Sequence, residues 1–309
     1  MKVGLVLAGG GGRGAYEIGV WKALKELGID KYIQVVSGTS IGALNAVLFI
    51  QGDLELAEKV WYSISNEAVL PTNNIDLLKK GILLALGAKN INFVKKYIPK
   101  ALEQGNISRQ GLIDVMDKYI DFPKVKNSNV KCYAACSEIP TVKARYFRIN
   151  EYEENKIRKI LLATSAMPVV YECEEIDNRK YVDGGMVDNV PIQPVYGEGC
   201  DIIIVVYLDK FPTLERRKFP NTKIIEIIPK DMDCTVINGT FNFSQECIPK
   251  RIQQGYEDTI YLLEPIFELS KYKFIKTPIE TVSTVSRNII DLVGKMCNKS
   301  KDQESIANE

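Results

Sequence analysis

Residues 2–8, Lys2 followed by an apolar run that ends at glycine, have the pattern of a strand buried on both faces of a parallel sheet. A helical period follows over residues 15–27, where Ile18, Trp21, Leu24 and Leu27 share a face and Gly28 stands just past the end as a stop signal. Residues 33–37 return to strand character, and a second helix is expected from Ser40 to about Gln51. Asp53 predicts the cap of a third helix reaching residue 65. Strand, glycine loop, helix, strand, tight turn and helix in succession predict an α/β fold, a parallel sheet with helices on both faces.

Residues 66–121 break this rhythm and read as an excursion from the sheet. Within them, 75–105 is helix-like with breaks near Gly81, Gly87 and residues 90–92. It carries Lys79, Lys80, Lys89, Lys95, Lys96 and Lys100 against Asp76 and Glu103, with large apolar residues such as Leu83, Leu86 and Phe93 between them. Such a stretch can rest on an anionic lipid surface or act as a lid; a surface helix with one solvated face is the plainer reading. Strands are expected again at 130–136, 144–149 and 180–182, with 157–166 helical and stopping ahead of Pro168. Residues 202–208 carry the strongest buried-strand signal, and 224–228 is expected to join the same sheet. Helices are expected over 251–269 and 281–297, followed by a polar tail.

At 309 residues the chain fits one large α/β domain or two smaller ones. Its 40 basic and 39 acidic residues leave no positive field to hold a nucleic-acid backbone, so nucleic acid is not an expected partner. Seven scattered cysteines match neither a zinc site nor a disulfide framework and read as reduced thiols. The first residues lack the length and flanks of a signal peptide, which makes cytoplasmic residence the expectation, and no apolar run approaches a membrane-spanning length. The sequons at Asn106, Asn238, Asn242 and Asn298 then carry no meaning. Histidine is absent altogether. That excludes any Ser-His-Asp triad and removes the commonest zinc ligand.

Candidate chemistry concentrates where the second strand meets its helix, in Gly38-Thr39-Ser40-Ile41-Gly42. A serine between two glycines at a strand-to-helix turn reads as a nucleophile elbow, its hydroxyl aimed outward at a helix N-terminus that favours developing negative charge. A plain glycine-rich turn is the alternative. Gly9 to Gly14 matches G-x-G-x-x-G, but the next strand ends without the acidic residue a dinucleotide ribose needs, and Ala15 stands where a P-loop has lysine. An oxyanion hole is the third reading, its glycines bringing backbone N–H groups close to a carbonyl.

With no histidine, a carboxylate or lysine must serve as base. Asp183 follows a short strand and precedes Gly184 and Gly185, which allow close backbone approach. Asp188 is its rival but is explained as a turn residue, while Lys22 and Lys25 are placed on an exposed helix face. An ordinary aspartate titrates near 3.9, so such a base predicts activity without a limb in the imidazole range. Asp231-Met232-Asp233 opens like a calcium loop but has Val236 where glycine is required.

Residues 9–19 (GGGGRGAYEIG), 38–45 (GTSIGALN), 163–168 (ATSAMP) and 183–191 (DGGMVDNVP) occur in the order seen in patatin-like phospholipases, and the chain resembles a bacterial member of that family. The likeness covers about residues 1–270, including Gln254 to Asp258, which resemble the family's C-terminal helix; 66–121 and 271–309 carry no matching motif. The resemblance implies a three-layer α/β/α fold over 1–270 with 66–121 as a helical insertion or lid, and 271–309 as a C-terminal extension. It further implies lipid acyl hydrolysis by a Ser-Asp dyad, with no cofactor and no metal. Carried over, Ser40 is the nucleophile, Asp183 the proton acceptor, and Gly10, Gly11, Gly12 and Arg13 the oxyanion site. Gly9, Gly14, Gly38, Gly42, Gly184 and Gly185 support the motifs. Gly12 departs mildly from the pattern, which usually has alanine or a similar small residue there. The partner implied is a lipid ester; the expectation of peripheral membrane contact comes from the lysine-rich stretch 75–105. A transacylase using the same acyl-enzyme and an idle lipid-binding protein are the other functions considered.

Overall fold

Strand β1 (Val3–Leu7) is buried along its whole length because parallel neighbours flank both its edges and apolar layers cover both its faces. β2 (Ile33–Thr39) pairs with one edge and β7 (Ile202–Val206) with the other, and β8 (Lys223–Ile227) extends the sheet beyond β7, again in parallel. On the far side of β2 lies β3 (Lys131–Ile139), which forms a hairpin with β4 (Lys143–Arg148), while β5 (Glu174–Ile176) and β6 (Arg179–Asp183) form a second antiparallel pair. The result is one mixed eight-stranded sheet with a parallel centre. The structure, a computed structural model, describes residues 1–65, 108–168, 170–233, 235 and 239–273. The lysine-rich stretch 75–105 and the helix expected over 281–297 lie outside the described residues.

Side chains alternate across β1. Leu5 and Leu7 point into the larger core with α1 (Ala15–Glu26), α2 (Ile41–Gln51) and α3 (Leu54–Ser63). Val6 turns to the other face, where it joins Val35, Ile203, Val205 and α7 (Ile192–Gly197). These are the three layers of an α/β/α fold. α4 (Gln110–Tyr119) adds Leu112 and Met116 to the larger core, α5 (Phe122–Lys126) leads into β3, and α6 (Glu154–Thr164) covers β3, β5 and β6. The long α8 (Cys247–Lys273) packs along α1, where the Tyr16 hydroxyl donates to Asp258 at 3.1 Å.

From β1 to α3 the elements fall within about two residues of the sequence pattern. Asp53 caps α3 as expected, accepting the Leu56 N–H at 2.9 Å. The main differences lie later. The strands at 130–136 and 144–149 form a hairpin, and β5, α4, α5 and α7 had no distinct sequence signal, being short or set in the stretch read as an excursion.

β3 organises the site. Its residues Tyr133 to Glu138 pair with β4 along one edge. The other edge is shared end to end: β2 occupies Lys131 to Ala135, and β6, running the opposite way, occupies Cys136 to Ile139. The last residue of β2, Thr39, lies opposite Ala135, and the last of β6, Asp183, lies opposite Cys136. Two strand ends therefore meet head to head beside consecutive residues of β3.

Candidate active site

Ser40 follows β2 at that junction with φ 54° and ψ −123°, a conformation costing a residue with a side chain on the order of 1–3 kcal/mol. The turn closes only because its neighbours lack Cβ atoms. A Cβ on Gly38 would lie 2.2 Å from the carbonyl oxygen of Gly42, and one on Gly42 would lie 2.4 Å from that of Leu7. The Ser40 N–H donates to the Thr164 hydroxyl at 2.9 Å, which in turn donates to the Ala135 carbonyl of β3. The Ser40 carbonyl accepts from the Ala43 and Leu44 N–H groups, so Ile41 and Gly42 present the first N–H groups of α2, which helix geometry leaves without intrahelical acceptors.

Asp183 faces Ser40 across the abutment. Its Oδ2 accepts the Ser40 hydroxyl at 2.7 Å, its Oδ1 accepts the Gly185 N–H at 2.8 Å, and its own N–H donates to the Ala166 carbonyl at 2.9 Å. The side chain is buried, and desolvation pushes its pKa up to about 6, against the opposing pull of the hydrogen bonds from Ser40 and Gly185. This corrects the expectation of an unperturbed aspartate. A carboxylate accepts a proton only when ionised, so with Asp183 as the base kcat/KM on a soluble ester is expected to fall about tenfold per pH unit below about 6. A pH–rate profile flat down to pH 4.5 would contradict it.

Asp188 is not brought to Ser40. Its Oδ2 accepts the Tyr146 hydroxyl at 2.6 Å, its Oδ1 accepts the Val190 N–H at 3.3 Å, and its carbonyl accepts the Thr39 hydroxyl at 2.9 Å. It anchors the loop after β6 to β2. Lys22 pairs with Glu58 on the surface and Lys25 is exposed, so neither lysine serves Ser40.

The glycine loop lies between the elbow and residues 239–243. Gly11 has φ 58° and lines the cavity beside Ser40. A Cβ on Gly12 would lie 2.2 Å from the Asn242 carbonyl oxygen, so the position that departs from the family pattern is filled by a neighbouring backbone. Arg13, expected among the oxyanion donors, is engaged elsewhere. Its N–H and Nε both donate to the Gly10 carbonyl at 3.3 Å, and Nη1 donates to the Leu208 carbonyl at 2.8 Å, tying the loop to the end of β7. Gly9 is bound through its N–H to the Asn189 carbonyl at 3.1 Å and through its own carbonyl to the Asn189 side chain at 3.0 Å.

Ser40 opens onto a cavity whose walls are overwhelmingly apolar: Ile41, Leu44 and Leu48 of α2, Trp61 of α3, Met116 of α4, and Phe241 and Phe243. Ser165 also reaches it. Among the described residues no group of three or more cysteine, aspartate or glutamate side chains could hold a metal ion. No helix among them is long and apolar enough to cross a membrane. The model of the family described as patatin-like phospholipase matches residues 5–196, which include the glycine loop, the elbow and Asp183.

The chain belongs to the patatin-like phospholipase family. Among its patatin-like relatives, an uncharacterized NTE family protein of Mycobacterium bovis is 27% identical over 209 residues, covering 67% of this chain and 49% of the relative. The lysophospholipase nte1 of Aspergillus terreus is 26% identical over 204 residues, 66% of this chain and 12% of that protein. The neuropathy target esterase sws of Drosophila melanogaster is 26% identical over 206 residues, 66% of this chain and 13% of its own length. The chain thus spans about half the length of the mycobacterial relative and far less of the others. The crystal structure of VipD from Legionella pneumophila aligns over 99% of this chain and 78% of its own at 14% identity, with a TM-score of 0.49.

Several residues of this patatin-like site carry no chemical signal in the sequence. Thr164, Asn45 and Asn189 lie inside the family motifs but make no chemical demand there. In the structure Thr164 holds the elbow from below, and Asn189 links the loop after Asp183 to the glycine loop. Buried Asn45 donates to the Gly14 carbonyl at 2.9 Å and to Glu17 at 2.7 Å, and accepts from the Trp61 indole at 2.9 Å. Arg251 had no sequence signal at all. Its guanidinium donates to the carbonyls of Asn242 at 2.6 Å and Gly239 at 3.2 Å, seating residues 239–242 against the glycine loop.

Proposed function

We propose that the protein is a serine acyl hydrolase acting on lipid esters through Ser40 and Asp183. The observation that carries this reading is the 2.7 Å hydrogen bond from the Ser40 hydroxyl to a buried carboxylate of raised pKa, at the mouth of an apolar cavity. Ser40 Oγ attacks the ester carbonyl as its proton passes to Asp183 Oδ2, and the carbonyl oxygen becomes an oxyanion. Gly11, which lines the cavity beside Ser40, and the first N–H groups of α2 offer donors for that charge. Collapse expels the alcohol, which takes the proton back from Asp183. Water then attacks the acyl-enzyme with Asp183 again as base, and the fatty acid leaves with Ser40 restored.

The NTE-type relatives, two of which are called lysophospholipase and esterase, support a lipid ester as substrate. We take residues 1–270 as the hydrolase unit, because α8 packs along α1 at its far end, with 66–121 as an insertion and 271–309 as an extension. Peripheral contact with anionic lipid belongs to the same proposal and rests on the lysine pattern of 75–105 alone. The test is turnover of a p-nitrophenyl ester. Ser40→Ala is expected to reduce it to background while circular dichroism stays unchanged; turnover surviving in folded Ser40→Ala would contradict the proposal.

A further inference from the structure

Ile41, Leu44 and Leu48 follow one another at helical spacing, so α2 lays an apolar stripe along a cavity wall that begins at Ser40. At about 1.5 Å per residue, the step from Ser40 to Leu48 spans about 12 Å. Just past Leu48 the wall is fastened. Buried Gln51 donates from Nε2 to the Tyr119 carbonyl at 3.0 Å and accepts at Oε1 from the Asp121 N–H at 3.0 Å. These bonds bolt the end of α4 to the end of α2, and Tyr119 and Ile120 line the cavity there.

An extended saturated chain advances about 1.25 Å per carbon, given C–C bonds of about 1.5 Å at near-tetrahedral angles. About ten carbons therefore reach from a carbonyl held at Ser40 to Leu48. We infer that the α2 stripe, stopped by the Gln51 clamp, measures the acyl chain and selects esters of medium-chain acids of roughly 8 to 12 carbons. The inference rests on the acyl hydrolase reading above and names its substrate class. Selection works through burial: each methylene entering the stripe raises kcat/KM by roughly 3- to 4-fold, and each one past Leu48 leaves the apolar stripe for the polar Gln51 clamp.

The test uses saturated p-nitrophenyl esters of about 4 to about 16 carbons, each below its micellar concentration. kcat/KM should climb to about 10 carbons and then fall. Leu48→Ala should move the optimum about two or more carbons longer, and Leu48→Phe about as far the other way; the second variant serves if the first does not fold. A parallel arm needs no turnover. Saturated fatty acids of the same lengths, titrated against the fluorescence of Trp61 in the cavity wall, should bind with the same optimum. Binding that peaks near ten carbons without turnover would remove the hydrolase reading and leave the ruler standing. Turnover flat from medium to long chains, an optimum unmoved by both Leu48 variants, or no binding and no turnover at any length would overturn the ruler.

Discussion

Asp183→Asn is expected to keep the fold and to lower turnover of a soluble ester by about 100-fold or more, the scale of lost general-base catalysis. The amide can retain the acceptor for the Gly185 N–H and turn its NH2 toward Ser40 Oγ, so both hydrogen-bonding positions stay filled. What it cannot do is take a proton. Burial raises the carboxyl pKa to about 6, which means that the ionised form is held in the folded protein at a cost. Removing that charge should leave Tm unchanged or raised, a stability-for-activity exchange common at functional sites. A merely structural Asp183 would give the opposite pair of results, a lower Tm with turnover retained per folded molecule. Asp188→Asn is the matched control. Its carboxylate holds Tyr146 and the Val190 N–H instead of Ser40, and its loss should affect turnover far less. Comparison of the two variants by soluble-ester kinetics and thermal melts decides between them.

Gly42→Ala should have the second large effect, and through a different route. Its added methyl would meet the carbonyl oxygens of Leu7 at 2.4 Å and Ala8 at 2.6 Å, both backbone atoms of β1 and its exit. No side chain can swing aside to relieve that contact. The first turn of α2 must move away from β1, carrying Ser40 off the short line to Asp183. An overpacking cost of about 3 kcal/mol is expected, with a Tm lower by about 5 °C and ester turnover close to background. Gly197→Ala provides the contrast, since a Cβ there meets nothing within 4 Å. Equal melting temperatures for the two variants would show that the elbow is not held by this backbone contact.

The first half of the fold was legible because β1 is buried on both faces and writes an apolar run, and because Asp53 and Gly28 mark helix ends. Ser40 was legible for a local reason: two flanking glycines state the steric need of the turn within five residues. Asp183 is less local: its expected place was after a strand of an open α/β sheet, where functional residues concentrate. β6 in fact runs antiparallel to β3, and Asp183 meets Ser40 because β3 overruns the end of β2 and lets β6 pair with the overhang. Nothing in the sequence near residue 183 states that register. The raised pKa was illegible for the same reason, since desolvation comes from the surrounding fold and not from neighbours in sequence. Arg251 and the 239–242 backbone it seats form a contact across more than two hundred residues from the glycine loop, and no local pattern announces it.

The central claim is that Ser40, activated by Asp183, is the nucleophile. Reaction with a fluorophosphonate followed by peptide mapping tests it without any assumption about the lipid substrate. The account predicts one labelled serine, Ser40, with labelling slowed strongly in Asp183→Asn and falling below pH about 6 as Asp183 takes up its proton. Label on Ser165, which also lines the cavity, or no label on folded, ester-active protein would contradict it.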